Sequence, residues 1–193
     1  LKPEQQARIS WLAAHALCPV LEVGCSWGMV LASIAAGNPH EMNTGVDIAP
    51  WNVELARLLC PDLRFSQDDA RSLHFITSSF ETVILAEVLE HLMFPDDVRK
   101  AVEEAQRVAC RRILVTLPNG DADMDEATSP KHAWVPDPQT VKEVRQMFSA
   151  PWETICGKIG SFFCIKADNR QVEAALFKQR FLADPPNLKE TNG

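Results

Sequence analysis

Short apolar runs alternate with helix-like patterns along this chain of 193 residues. The runs at 20–23 and 82–86 are almost continuously apolar, which is typical of central parallel strands that are buried on both faces. The segments between such runs carry apolar residues three and four positions apart, the spacing that places them on one face of a helix. Because strands and helices alternate, the pattern predicts a mostly parallel sheet with helices on both faces.

Turn and cap residues set the expected limits of these elements. Pro50 suits the first turn of a helix, and Asp137 supplies a side-chain acceptor just before Pro138 at the start of another. The predicted helices cover residues 4–16, 29–36, 50–60, 138–148 and 171–181, together with one that begins at Asp96. The predicted strands cover residues 20–23, 44–47, 63–67, 82–86, 112–116, 153–155 and 162–167.

The most informative stretch is Val20-Leu21-Glu22-Val23-Gly24-Cys25-Ser26-Trp27-Gly28, followed by Gly45-Val46-Asp47-Ile48. It indicates a strand, a glycine turn, a helix and a second strand that ends in an aspartate. Glycine lets the backbone approach a ligand closely, and an acid at the end of the second strand can hydrogen-bond a ribose diol. Because position 26 is not glycine, the G-x-G-x-x-G pattern of a pyrophosphate site is absent. The spacing therefore favours a ligand that has a ribose but no pyrophosphate.

These two segments resemble the first two motifs of class I S-adenosylmethionine-dependent methyltransferases, most of all the small-molecule members called methyltransferase type 11. Further stretches resemble later segments of that family in the same order. They are Asp69-Ala70 with Leu73 and Phe75, residues 80–92, and residues 114–119. The resemblance extends over most of the chain, and several motifs in order are far stronger evidence than a lone glycine motif.

The resemblance implies an α/β, Rossmann-like class I methyltransferase fold. Its mostly parallel sheet would contain seven strands, with helices on both faces and a C-terminal antiparallel strand pair. Residues 1–167 would form the methyltransferase domain, and residues 168–193 would add a C-terminal helix and a loose tail.

The same resemblance implies that S-adenosyl-L-methionine is the cofactor. Asp47 would bind the ribose, and Ile48 would pack on the adenine. Asp69, rather than Asp68, would reach the adenine amino group because an alanine follows it. Trp27 either forms part of the pocket wall around the methionine portion of the cofactor or only packs against neighbouring side chains. The full set of expected cofactor residues is Glu22, Gly24, Cys25, Gly28, Asp47, Ile48, Asp69, Ala70 and Glu87.

The expected activity is methyl transfer to an oxygen, nitrogen or carbon nucleophile of a small-molecule acceptor. The sulfonium methyl group is already activated, so the protein has mainly to hold donor and acceptor in line. His91 and His132 are the candidate bases, since imidazole titrates near neutral pH. The loops after the fourth and fifth strands would contact the acceptor. Their candidate residues are His91, Asn119, His132 and Trp134.

The segment Glu87-x-x-Glu90-His91 leaves another interpretation open. Small-RNA 2′-O-methyltransferases carry a similar Glu-x-x-Glu-His with a later His, here His132, and bind a divalent cation. Carboxylate and imidazole ligands suit Mg²⁺ or Mn²⁺. The same segment is widespread among metal-free small-molecule methyltransferases, and the surroundings of His132 are less basic than in the RNA enzymes. The prediction is a site with no metal. A metal-dependent RNA 2′-O-methyltransferase and a non-catalytic cofactor-binding subunit stay as alternatives.

Charge and composition narrow the expected partners. A formal net charge of −7 disfavours nucleic acid, because phosphate binding needs a basic face. The basic residues Arg99, Lys100, Arg107, Arg111 and Arg112 are expected to form the solvated face of one helix. The apolar runs are too short to span a membrane, and six cysteines without a C-x-x-C pair are typical of a reduced, cytoplasmic protein. We expect that the acceptor is only partly enclosed, or that residues missing from this sequence, a homodimer partner or the 121–136 loop complete its pocket.

Overall fold

Helices and strands alternate along the chain as the apolar pattern predicts. The computed structural model describes residues 1–38, 42–119 and 136–183. The helices are α1 (Pro3–His15), α2 (Met29–Gly37), α3 (Pro50–Leu59), α4 (Pro95–Val108), α5 (Pro138–Gln146) and α6 (Arg170–Ala183), with a short 3₁₀ helix at Leu89–His91. The strands are β1 (Val20–Val23), β2 (Thr44–Asp47), β3 (Arg64–Gln67), β4 (Phe80–Ala86), β5 (Ala109–Pro118), β6 (Trp152–Ile159) and β7 (Phe162–Asn169).

The seven described strands form one sheet in the order β3-β2-β1-β4-β5-β7-β6. β1 to β5 run parallel, whereas β7 pairs antiparallel with both β5 and β6. The predicted Rossmann-like fold, with its mostly parallel sheet and C-terminal antiparallel pair, is confirmed. Because the strand order reverses between β1 and β4, the carboxyl ends of these strands flank the crevice where open α/β sheets bind ligands.

The strands near the C-terminus are longer than the apolar pattern indicates. β1 and β2 have the predicted limits, whereas β5 extends beyond residues 112–116 at both ends. Arg111 and Arg112 lie in this strand, so their prediction as part of a solvated helix face is wrong. Arg112 Nε donates to Asp168 of β7 at 2.6 Å, and Arg111 pairs with Glu173 of α6 at 2.9 Å. These partners lie at least 56 residues away, so the local pattern carries no sign of them.

Helices cover both faces of the sheet and enclose an apolar layer on each. α4 and α5 pack on one face, and the buried stripe of α4 follows helical spacing at Val98, Ala101, Val102, Ala105 and Val108. α1, α2 and α3 cover the opposite face through residues such as Leu12, Leu31 and Val53. None of the described helices combines the length and the apolar character that a bilayer span needs.

Two glycines in the left-handed region shape the turn between β1 and α2. Gly24 has φ +71° and Gly28 has φ +79°, a conformation that glycine adopts without steric cost. A Cβ on Gly24 would also lie 2.5 Å from Val88 Cγ2. Gly28 donates its amide hydrogen to the Cys25 carbonyl at 2.8 Å and directly precedes α2. The turn therefore requires glycine at the two positions that the motif provides.

Glu22 supports this turn from inside the protein. Its side chain is buried, and its Oε2 accepts a hydrogen bond from the Leu31 amide in the first turn of α2 at 3.1 Å. The carboxyl group thereby satisfies an amide that the helix itself leaves unpaired. Burial raises the pKa of Glu22 to about 8, although the Leu31 hydrogen bond and the charge of Arg8 act against this shift.

Replacing Gly45 in β2 by alanine should destabilise the fold by about 1–3 kcal/mol. A Cβ at this position would lie 2.7 Å from the Phe65 ring and 2.9 Å from Cys25 Cβ, so the core would be overpacked. Gly37→Ala is the matched control, because no atom lies within 4 Å of its Cβ position. Urea unfolding of both variants measures the difference. Equal stabilities would show that β2 shifts to make room for the methyl group.

The Glu22→Gln variant should lose part of the pH dependence of stability. Because the pKa of Glu22 is raised, the native carboxyl group keeps its proton between about pH 4.5 and 8, whereas the unfolded chain releases it. Stability therefore falls as pH rises through this window, by more than about 1 kcal/mol. Glutamine has nothing to titrate and can still accept the Leu31 hydrogen bond. Urea unfolding at both ends of the window tests this, with exposed Glu54→Gln as the control. The prediction fails if Glu22→Gln keeps the wild-type slope.

Candidate functional site

A cavity of about 640 Å³ opens at the carboxyl ends of β1, β2, β3 and β4. Its size is typical of small-molecule and cofactor sites, and it lies where open α/β sheets bind their ligands. The lining residues belong to the segments that follow these strands. They are Val23, Gly24, Ser26, Asp47, Ile48, Ala49, Asn52, Asp68, Asp69, Ala70, Arg71, Glu87, Val88, His91, Leu92, Met93, Phe94 and Asp97.

Asp47 ties together the loops that follow β1 and β2. Its buried carboxylate accepts hydrogen bonds from the Ser26 amide at 2.9 Å, from the Ala49 amide at 2.9 Å and from Asn52 Nδ2 at 3.2 Å. Oδ2 of Asp47 accepts only the Ser26 hydrogen bond among these three. Because a carboxylate oxygen can accept a second hydrogen bond, Oδ2 keeps the capacity to bind a ligand hydroxyl. The structure thus brings Gly24 and Asp47 into one cavity wall. A ribose contact of Asp47 stays a prediction.

Asp68 and Asp69 both line the cavity, but they differ in exposure. The Asp68 side chain is 3% exposed and accepts hydrogen bonds from the His74 amide and ring. The Asp69 side chain is 32% exposed, and its hydrogen bonds to Arg71 lower its pKa. Asp69 is therefore the more exposed carboxylate of the two, and its contact with the adenine amino group stays a prediction. Ile48 lines the same cavity as an exposed apolar surface that an aromatic ring can cover.

Three of the predicted cofactor residues lie behind the cavity wall. Glu22, Cys25 and Gly28 are not among its lining residues, and they shape the glycine turn instead. The Cys25 amide donates to the Val46 carbonyl at 2.9 Å, and burial raises the pKa of its thiol. Trp27 is half exposed and also lies outside the lining set. A direct cofactor contact for any of these residues stays a prediction.

Glu87 stands at the exit of β4 in an uncommon backbone conformation. Its φ of +57° lies in the left-handed region, as does the φ of +47° of Ser26 in the glycine turn. Such residues persist where the surrounding structure holds them, and they are frequent at functional sites. Oε1 of Glu87 lies 3.7 Å from Nη1 of Arg8 in α1. Burial raises the pKa of Glu87 to about 7, and the charge of Arg8 opposes this shift.

The 3₁₀ helix after β4 carries one buried and one exposed titratable side chain. Glu90 is fully buried, and neither of its carboxylate oxygens has a hydrogen-bond partner among the described residues. Burial raises the pKa of Glu90 well above its usual range, and the charge of Glu87 adds to the effect. His91 is exposed and lines the cavity.

Asn119 follows β5 and is not among the residues that line the cavity. Its backbone amide donates to the Ser161 carbonyl at 2.7 Å.

Two expected acceptor residues, His132 and Trp134, lie outside the described residues. The described ranges contain no group of three or more His, Cys, Asp or Glu side chains that could hold a metal ion. All six cysteines are free thiols in this structure.

Arg8, Asn52 and Arg71 belong to the site but were not expected from the sequence. Asn52 lies in the first turn of the helix that follows Asp47, so its closeness to that carboxylate is visible in the spacing. Arg71 stands two residues after Asp69, so its contact with that carboxylate is also indicated by the spacing in the sequence. Arg8 reaches the site from the first helix, and nothing in its neighbourhood along the chain indicates this contact.

Comparison with known proteins agrees with this geometry. Residues 20–111 match the family model described as a methyltransferase domain. A search of curated proteins finds no match. The PH0226 protein from Pyrococcus horikoshii OT3 has a TM-score of 0.67 at 17% identity, over 87% of this chain and 92% of that one.

Two further solved structures have the same fold. A SAM-dependent methyltransferase from Methanosarcina mazei has a TM-score of 0.61 at 17% identity, over 78% of this chain and 91% of that one. The methyltransferase domain of bacterial CtHen1 has a TM-score of 0.71 at 16% identity, over 86% of this chain and 99% of that one.

The matched family segment begins with β1 and extends into β5, so it contains every described residue that lines the cavity. The sheet order and the C-terminal antiparallel strands agree with the same family. Residues 20–111 thus form a methyltransferase domain, and the fold is that of class I S-adenosylmethionine-dependent methyltransferases, which implies S-adenosylmethionine as the cofactor.

Proposed function

We propose that this methyltransferase acts on a small-molecule acceptor, which binds beside the cofactor near Glu87 and His91. The observation that carries the proposal is the acidity of the cavity wall. Its acidic residues are Asp47, Asp68, Asp69, Glu87 and Asp97. Arg71 also lines the cavity, but its guanidinium is ion-paired with Asp69 at 2.7 Å and with Asp97 at 3.1 Å. A polynucleotide needs cations that neutralise its phosphates, so this wall favours a small acceptor over a nucleic acid.

The described residues fit S-adenosylmethionine. Gly24 leaves the wall free of a Cβ beside Val88, Asp47 offers a lone pair to a ribose hydroxyl, and Ile48 offers an apolar surface to the adenine. When bound, the cofactor supplies a methyl group activated by the sulfonium. The main task of the chain is then to hold donor and acceptor in line.

His91 is proposed to take the proton that the acceptor releases. It lies at the cavity wall, and its amide donates to the Val88 carbonyl at 3.0 Å, which fixes the backbone of the 3₁₀ helix. An imidazole is suited to proton transfer near neutral pH. Asn119, His132 and Trp134, on the segment after β5, are proposed to complete the acceptor side. Residues 1–167 are proposed as the domain that carries this site.

The Asp47→Ala variant should bind S-adenosylhomocysteine at least about tenfold more weakly than the wild type. The substitution removes the hydrogen bonds expected to the ribose and releases the Ser26 and Ala49 amides that now hold the two loops. Calorimetric titration measures the affinity, and circular dichroism checks that the variant is folded. Asp62→Ala, at an exposed turn position, is the control. Unchanged affinity in folded Asp47→Ala would remove this residue from the cofactor site.

With S-adenosylmethionine radiolabelled in its methyl group, the wild type should label small molecules of a metabolite extract and leave RNA unlabelled. His91→Ala should lower turnover about a hundredfold, because a positioned base contributes this order of rate. Its affinity for S-adenosylhomocysteine should stay close to that of the wild type. Label in RNA alone would overturn the proposed acceptor class. Loss of cofactor binding in His91→Ala would show that the residue is structural.

A further inference from the structure

Buried polar atoms without partners gather at the ends of β4 and β5. They are Arg8 Nε, Glu87 Oε1, both carboxylate oxygens of Glu90, Thr116 Oγ1 and Asn119 Oδ1, none of which has a hydrogen-bond partner within the described part of the chain. Such atoms are uncommon in folded proteins, because an unpaired buried polar group is costly. Several of them in one region indicate a place that a ligand completes.

Contacts in the structure bring these atoms together from segments that are far apart along the chain. The Arg8 guanidinium lies 3.7 Å from Glu87 Oε1 and 5.0 Å from the centre of the Phe162 ring. Glu90 lies close enough to Glu87 for their charges to interact. Asn119 is tied by its amide to the Ser161 carbonyl, directly before Phe162. Helix α1, the exits of β4 and β5, and the β6–β7 turn therefore meet at one point beside the cavity.

Hydrogen-bond acceptors are in excess at this point, and two acids share the one cation of Arg8. Five of the unpaired atoms are oxygens, of which only the Thr116 hydroxyl can also donate, and the sixth is an N–H donor. When both Glu87 and Glu90 are ionised, the Arg8 guanidinium balances one of the two negative charges. A buried charge needs a partner that also satisfies its hydrogen bonds. An ammonium group supplies both, since it carries a positive charge and several N–H donors.

We propose that the methyl acceptor is an amine, held by the Glu87 carboxylate at the cavity wall with the buried, unpartnered Glu90 carboxyl group behind it. This rests on the proposed small-molecule function and names the class of its acceptor. A carboxylate or phosphate at the same point would meet two acids. An alcohol would donate one hydrogen bond but leave the excess charge unbalanced.

The transfer step balances with the residues on this wall. The bound ammonium gives one proton to the His91 imidazole, which frees the nitrogen lone pair. That lone pair forms the new N–C bond, while the S–C bond breaks and its electron pair stays on sulfur. The positive charge lost by the sulfonium is then carried by the methylated ammonium. The step is neither an oxidation nor a reduction, so it needs no further reagent.

Matched ligands test the proposal in protein saturated with S-adenosylhomocysteine. Hexylamine, 2-phenylethylamine and tryptamine are each compared with the alcohol and the carboxylate of the same carbon skeleton, by calorimetric titration. At least one amine should bind about tenfold or more tightly than its alcohol, the difference that a charge-assisted hydrogen bond makes. The near-isosteric variants Glu87→Gln and Glu90→Gln should each remove most of this preference. The exposed Glu143→Gln variant of α5 should retain it.

The outcomes separate the failure of this inference from that of the proposed function. Amines that bind no better than their alcohols, or methylation of alcohols with all amines inert, would overturn the amine assignment and leave the small-molecule function standing. Binding of Mn²⁺ that Glu90→Gln abolishes would also overturn it, because the carboxylates would then hold a metal cation. Failure of the protein to bind S-adenosylhomocysteine would contradict the proposed function instead.

Discussion

The hydrogen bond from the Ser26 amide to the Asp47 carboxylate is the contact on which the cavity depends. It joins the loop after β1 to the end of β2, and the same carboxylate also receives the Ala49 amide. The acid can do this because β1 and β2 pair in parallel and end level with each other, with Val23 opposite Val46. A shift of one residue along β2 would turn the carboxylate to the other face of the sheet. Strand register therefore determines whether the cofactor wall exists.

The two ends of the cavity are held in different ways. At the Asp47 end, the carboxylate is buried but fully supported by neighbouring donors. At the Glu87 end, carboxylates are buried with few donors, and Glu87 also adopts a left-handed backbone conformation. Strain and unsatisfied charge of this kind reduce stability and are retained at functional sites. The contrast is the one expected between a preformed wall for the cofactor and the incomplete surface of the proposed acceptor site.

Local patterns allowed much of the fold to be predicted, and they pointed to several residues that line the cavity. The limits of β1 and β2 followed from their apolar runs, and the glycine turn followed from the two positions that need a left-handed backbone. Each of these features depends on residues a few positions apart, so their physical cause is visible in the sequence itself.

Contacts between distant segments could not be predicted in this way. Arg112 of β5 meets Asp168 across the antiparallel pairing with β7, and Arg8 enters the site because α1 packs near the exit of β4. Glu90 follows an ordinary-looking strand exit, yet the fold buries it without a partner among the described residues.

The sequence by itself thus determined the alternating elements, the glycine turn and the order of the motifs, because these depend on backbone conformation and on local apolar spacing. Only the tertiary structure decided which charged groups meet and which are left unpaired. Burial and charge compensation depend on every neighbour in space, and most of those neighbours are far away along the chain.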